Sequence, residues 1–262
     1  MLDPSAQSFG GLAADSYGTD DERPALVLLH GLTYDRRTWG PTLRELAAID
    51  PDRRVVALDL PGHGGSPRRE SYHASEIAAV VHDAVTDAGL EAPVLAGHSI
   101  GGLLATVYVA TYPSRGVVNV DQPLLVGSFA ERLRQAESVL RSPAYGDIWN
   151  ILLATMHLEL LPPAARELVR TATTPRQDLL LGYWNEIMVT PTETINEQLM
   201  AGMAAIRSSG VPYRHVSGAE LEPAYRRWLE SALPDVTITV LPDSGHFPHL
   251  RHPAEFAKIL TE

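Results

Sequence analysis

Six short apolar runs punctuate this chain and leave it few folds to choose from. They are ALVLLH (25–30), VVALDL (55–60), PVLAGH (93–98), GVVNVD (116–121), YRHVSG (213–218) and VTITVL (236–241). Runs of this length, β-branched and apolar at consecutive rather than alternate positions, fit strands covered on both faces. Patterns of helical period lie between them. In SEIAAVVHDAVTDAG (75–89), Ile77, Val80, Val81, Ala84 and Val85 share one face, and Ser75 is placed to cap the first turn. Strand alternating with helix predicts an α/β fold: a mostly parallel, doubly wound sheet with helices on both sides.

The alternation breaks once, between about Pro123 and Gly210. That stretch holds amphipathic segments such as SFAERLRQAESVL and TETINEQLMAGMAAI, punctuated by SP, LPPA and TP, and no convincing strand. A helical cap or lid over 123–210, inserted into a core formed by 1–122 and 211–262, is the expected organisation. Internal repeats and low-complexity segments are absent.

Composition narrows the function. The 262 residues are 45% hydrophobic and 20% charged, enough to bury a sizeable core, and the formal net charge is −11. No run of Lys or Arg exceeds a pair, which argues against nucleic acid as a partner. The absence of cysteine excludes disulfides, thiolate metal sites and a cysteine nucleophile. No apolar run approaches the roughly 18 residues of a membrane span, and the N-terminus has no basic start followed by an apolar core. A cytoplasmic protein that does not engage membranes is expected; a homodimer is left open.

One serine stands out. In LAGHSIGG (95–102), Ser99 lies between Gly97 and Gly101, with an apolar strand before it and a helical pattern after it. G-x-S-x-G at such a junction makes a sharp turn that lifts the hydroxyl out of the sheet and aims the amide of Ile100 at a developing oxyanion. The plainer alternative is a serine capping a helix. Three further motifs follow the order a nucleophilic serine requires. LLHGL (28–32) ends an early strand, where the amide of Leu32 could be a second oxyanion donor; His30 there is more simply a turn residue than a base. DLPGHGGS (59–66) is a Gly-rich turn without the G-x-x-x-x-G-K of a phosphate loop. LPDSGHFPHLRHPAEFAKIL (241–260) places His246 on a loop that could reach Ser99 and take its proton. His249 and His252 compete for that role, and a metal cluster of the three histidines lacks a carboxylate at ligand spacing.

With these motifs in this order, the chain resembles the α/β-hydrolase fold superfamily over nearly its whole length. The resemblance implies Ser99 as nucleophile, His246 as base, and the amides of Leu32 and Ile100 as the oxyanion hole; no cofactor or metal is expected. It also exposes a departure. Where members commonly keep an aspartate, three residues past Gly218, this chain has Leu221, flanked by Glu220 and Glu222. The other family position follows the strand after the nucleophile helix and is occupied by Asp121, 22 residues beyond Ser99. In placing its acid there the chain is similar to zearalenone-type lactonases. Asp121 is the expected acid, with Glu220 or Glu222 as the alternatives.

The function expected from this set is a serine hydrolase that cleaves a carboxylic ester or lactone through an acyl-enzyme. C–C bond hydrolases, lyases and perhydrolases reuse the same residues, and non-catalytic ligand-binding members of the fold exist. Specificity is expected from the cap, where Trp149, Met156, Tyr183, Trp184 and Met188 are candidates to line a pocket for a small apolar ester or lactone. Each competes with the simpler role of lid core.

Overall fold

The computed structural model describes residues 5–19 and 21–262. Its centre is an eight-stranded sheet: β1 (Ser5–Phe9), β2 (Leu12–Tyr17), β3 (Leu26–Leu29), β4 (Val55–Leu58), β5 (Val94–His98), β6 (Gly116–Val120), β7 (Tyr213–Ser217) and β8 (Thr237–Val240). The spatial order is β1-β2-β4-β3-β5-β6-β7-β8. β1 pairs antiparallel with β2, and β2 with β4; every later pairing is parallel.

The six expected strands are all present. Every residue of β3, β4 and β6 is buried, and alternate side chains feed two separate cores. Val27, Leu29, Leu95 and Val117 pack with Ile77, Val81, Leu104 and Tyr108 of the helices Ala74–Asp87 and Ile100–Val109. Leu26, Leu28, Val55 and Val118 pack on the opposite face with Leu43, Leu46, Phe256 and Ile259 of the helices Gly40–Ile49 and Pro253–Ile259. Consecutive apolar residues along a strand thus follow directly from cover on both sides.

Two strands were not anticipated. β1 and β2 form a hairpin on Gly10 and Gly11, whose φ values of 54° and 82° suit a tight two-residue turn. The glycine pair was the available signal. β2 alternates buried Leu12, Ala14 and Ser16 with half-buried neighbours, a weak pattern because two of the three inward residues are small or polar.

Ser75 also departs from expectation. The helix begins at Ala74 and Ser75 lies inside its first turn, with no side-chain cap at His73. The free Ala74 amide instead donates to Glu186 Oε2 at 2.9 Å, a carboxylate from the far side of the chain. An acidic group at a helix N-terminus satisfies the same orphan donor and also suits the helix dipole.

Between β6 and β7 the described residues form six α-helices, Gly127–Gln135, Glu137–Leu140, Tyr145–Ala154, Pro163–Thr171, Gln177–Val189 and Thr192–Ser209, one short 3₁₀ turn at Leu158–Leu160, and no strand. Pro163 begins its helix, where a missing N–H costs nothing. Among the described residues no helix is long and apolar enough to cross a membrane.

Candidate active site

The site forms where three parallel strands end side by side. Ser99 follows β5 with φ 54° and ψ −127°, and the helix Ile100–Val109 starts at the next residue. Its side chain makes no capping bond to that helix, which answers the plainer reading of the serine. The turn is possible because its flanks are glycine: a Cβ on Gly97 would lie 2.0 Å from the Gly101 carbonyl oxygen, and one on Gly101 would lie 2.4 Å from that of Leu29. Asp121, just past β6, has a φ of 54° as well. Two non-glycine residues in this region at adjacent strand ends cost on the order of 1 to 3 kcal/mol each, and such strain collects at functional sites.

His246 stands on the loop after β8, and its Nδ1 lies 2.8 Å from Asp121 Oδ2. The other carboxylate oxygen accepts from the Gly218 amide at 3.0 Å and the Ser217 hydroxyl at 3.3 Å. Burial alone would raise the Asp121 pKa, but the hydrogen bond and charge of His246, with the Gly218 amide, outweigh it and hold the carboxyl below its usual value. With Nδ1 donating to this carboxylate, Nε2 is left as an acceptor. Ser99 and His246 both line one cavity of about 490 Å³. Among the described residues no hydrogen bond joins them; catalytic hydrogen bonds often tighten only when substrate binds.

Leu32 and Ile100 line the same cavity, and the amide of neither donates to any group among the described residues. Unpaired N–H groups close to a nucleophile are what stabilisation of an oxyanion requires. Among the described residues, no histidine other than His246 hydrogen-bonds to Asp121, and none hydrogen-bonds to the Ser99 hydroxyl. His30 accepts from the Leu60 amide at 3.0 Å and donates to the Gly31 carbonyl at 2.8 Å, and it is fully buried. His252 Nε2 lies 2.8 Å from the Pro242 carbonyl, and His249 is buried beside Trp39. No group of three or more His, Cys, Asp or Glu residues suited to a metal occurs among the described residues. The Gly-rich turn 59–66 is filled by its own Asp59, which accepts from the amides of Arg36 and Gly65 and pairs with the Arg36 guanidinium.

The two alternative acids lie away from the imidazole. Glu222 caps the helix Pro223–Ala232, accepting from the amides of Ala224 and Tyr225 at 2.9 and 3.0 Å. The Glu220 side chain is 79% exposed and faces Arg226 at 3.7 Å.

Four of the five expected lining residues, Trp149, Met156, Tyr183 and Trp184, border the cavity. Met188 is buried but is not part of the wall. Sequence reasoning missed Tyr34, two residues past Leu32, and Phe129, which meets Trp184 edge-on at 5.7 Å. It also missed Arg132, whose guanidinium lies 5.8 Å over the Phe129 ring and which borders the cavity together with the polar Gln122, Ser128, Thr155 and Glu186. A lone Phe or Arg on an amphipathic helix gives no signal of its own.

This chain belongs to the alpha/beta hydrolase family, whose model matches residues 26–259. It is similar to the pimeloyl-[acyl-carrier protein] methyl ester esterase of Aromatoleum aromaticum, with 27% identity over 263 residues that cover 92% of this chain and 98% of that one. Among solved structures, it superposes on the enol-lactonase from Burkholderia xenovorans LB400 with a TM-score of 0.75 and 18% identity, covering 98% of each chain. AqDC, described as recognising and ring-cleaving the Pseudomonas quinolone signal, superposes with a TM-score of 0.76 and 18% identity over 98% of each chain. At those identities the structural likeness speaks for the fold alone.

Proposed function

We propose that this protein is a serine hydrolase that cleaves a carboxylic ester or lactone through an acyl-enzyme. The observation that carries the reading is the 2.8 Å bond from Asp121 to the Nδ1 of His246, which leaves Nε2 basic in a cavity shared with Ser99 and two free amides. Nε2 takes the Ser99 proton as the oxygen attacks the acyl carbon, and the amides of Leu32 and Ile100 hold the oxyanion. Asp121 orients the imidazole and stabilises its charged form. The imidazolium then protonates the leaving oxygen, and water activated by the same Nε2 releases the acid.

The helical insertion 123–210 serves as a lid in this reading, and its Trp149, Met156 and Trp184 shape the substrate side. A wall of that composition favours a small apolar ester or lactone. The similarity to a methyl ester esterase supports an acyl substrate. Turnover of p-nitrophenyl acetate and butyrate, with labelling of Ser99 by a fluorophosphonate, tests the assignment. Loss of both would overturn it, whereas labelling without ester turnover would favour a lyase or C–C bond hydrolase on the same residues.

A further inference from the structure

The residue just before the proposed nucleophile has no part in that chemistry, yet it touches the proposed base. His98 is the last residue of β5 and 1% exposed. Its Nε2–H donates to the main-chain carbonyl of His246 at 2.7 Å, across 148 positions of sequence. The two rings lie 4.7 Å apart, and the His249 ring is 4.5 Å away on the same cluster. Burial, and then the neighbouring His249 and His246, push the pKa of His98 well below its ordinary value, so the ring is neutral and its one proton sits on Nε2.

The loop that carries His246 has few other restraints at this point. The His246 amide donates to the Met156 carbonyl of the helical insertion at 3.1 Å, and its imidazole is tied to Asp121. Among the described residues, the His98 bond is the one hydrogen bond that connects the His246 main chain to the strand that bears Ser99. That strand is rigid: β5 lies between β3 and β6, and the Ser99 amide itself donates to the Val120 carbonyl at 2.9 Å. One peptide unit therefore separates the proposed nucleophile from the anchor of the proposed base.

We propose that His98 is a positioning residue, whose Nε2–H bond to the His246 carbonyl sets the distance between the His246 imidazole and the Ser99 hydroxyl. The inference rests on the serine-hydrolase reading for its effect on rate, and on geometry alone for its effect on His246. Proton transfer needs heavy atoms within hydrogen-bond reach, and a displacement of about 1 Å can cost on the order of a hundredfold.

The test separates filling of space from donation of a hydrogen bond. His98→Phe keeps a ring and removes the donor; His98→Gln keeps an N–H able to reach the carbonyl; His98→Asn keeps an N–H too short to reach it. On p-nitrophenyl butyrate, the Phe and Asn variants are expected to lose about 10- to 100-fold in kcat with KM changed by less than about twofold. The Gln variant should return to within about threefold of the parent. The Asn variant gives the answer if the Phe variant does not fold. A second readout needs no turnover: the downfield proton resonance of the His246 Nδ1–H···Asp121 bond should be sharp in the parent and the Gln variant, and broadened in the other two. If the parent neither labels with fluorophosphonate nor turns over, the hydrolase reading falls while this resonance still decides the role of His98. Phe and Asn variants that match the parent in both kcat and the resonance, or a Gln variant that falls as far as they do, would overturn the proposal.

Discussion

The floor and the roof of the cavity are held in different ways. On the floor, Ser99 and Asp121 follow neighbouring strands, and their amides donate to the Val120 and Val216 carbonyls at 2.9 and 2.7 Å. The Asp121 carboxylate has three further donors, so position and orientation are both set by directional bonds. On the roof, Trp149, Met156 and Trp184 are held by apolar packing within the helical insertion. Polar ties join that insertion to the rest of the chain, among them the Tyr183 hydroxyl to the Pro61 carbonyl at 3.0 Å, the Thr174 amide to the Thr33 carbonyl at 2.8 Å, the Arg176 guanidinium to the Gly62 carbonyl at 3.1 Å, and Glu186 to Ala74, but none of these four is made by the side chains of Trp149, Met156 or Trp184. The roof also carries Ile151, Val189 and Met200 in exposed positions. Reaction geometry belongs with the strand ladder, because hydrogen bonds fix angles, whereas packing without direction tolerates exchange of side chains and suits selectivity.

The largest effect should come from the floor. Ser99→Ala is expected to remove at least about three orders of magnitude of ester turnover while the circular dichroism spectrum stays that of the parent. Near-normal hydrolysis in that variant would break the contrast at its root. Asp121→Asn should fall nearly as far, about three to four orders of magnitude, because the imidazole is free to take the wrong tautomer. Glu220→Gln and Glu222→Gln should each lose less than about tenfold in kcat/KM, since one is exposed and the other is committed to a helix cap. An equal loss at either glutamate would move the acid off β6.

Acid should also strike the floor first. His30, His63, His98, His215 and His249 are buried in the sheet domain, and burial is the leading cause that lowers the pKa of each, to about 3 for His63 and His249 and about 4 for His215. A group with a depressed folded pKa binds its proton more readily when unfolded, so its stabilisation is complete above the unfolded value near 6.5 and is lost as pH falls toward the folded value. Each such group can withdraw up to about 1.4 kcal/mol per pH unit in that window. Urea midpoints measured from pH 7 to pH 5 should therefore decline steadily, with hydrogen exchange accelerating in β3, β5 and β7. A flat profile would show that these imidazoles do not stay neutral.

Smaller effects belong to the roof. Trp184→Phe should change kcat/KM for a bulky aromatic ester by about tenfold and for p-nitrophenyl acetate by less than about threefold, because it alters the shape of the wall by a few carbon atoms. Equal losses on both substrates would place Trp184 in the chemistry instead. Glu186→Gln should cost about 1 kcal/mol by weakening the cap on the helix Ala74–Asp87, seen as a fall in Tm of roughly 2 to 4 °C.

Much of this was legible before folding, and the failures have physical causes. Strands buried on both faces announce themselves by continuous apolar runs, so β3 to β6 could be placed to within one or two residues; β7, with Arg214 and His215, and the edge strand β8, which has no buried residue, are placed as closely without being covered in the same way. β1 and β2 present Ser, Ala, Gln and Asp in alternation, and their pairing depends on a glycine turn and an antiparallel partner in β4. Ser75 had the composition of a cap, but a carboxylate 112 positions away reached the amide one residue earlier. Leu221 has no group to accept an imidazole proton, which points to Asp121; the 2.8 Å approach of Asp121 to His246 comes from β6 and β8 lying on either side of β7.

By itself the sequence determined the elements and the chemistry on offer: where strands alternate with helices, where the alternation stops, and which serine, histidine and carboxylates are free to react. Those follow from local rules, because burial periodicity, glycine geometry and side-chain acidity are properties of a few adjacent residues. Only the tertiary structure decided which carboxylate meets His246, that Met188 stays out of the cavity wall while Tyr34 and Arg132 enter it, and that His98 grips the loop of His246. Each of those outcomes is a distance between residues far apart in the chain, fixed by the order in which the strands pair and the way the helices close over them.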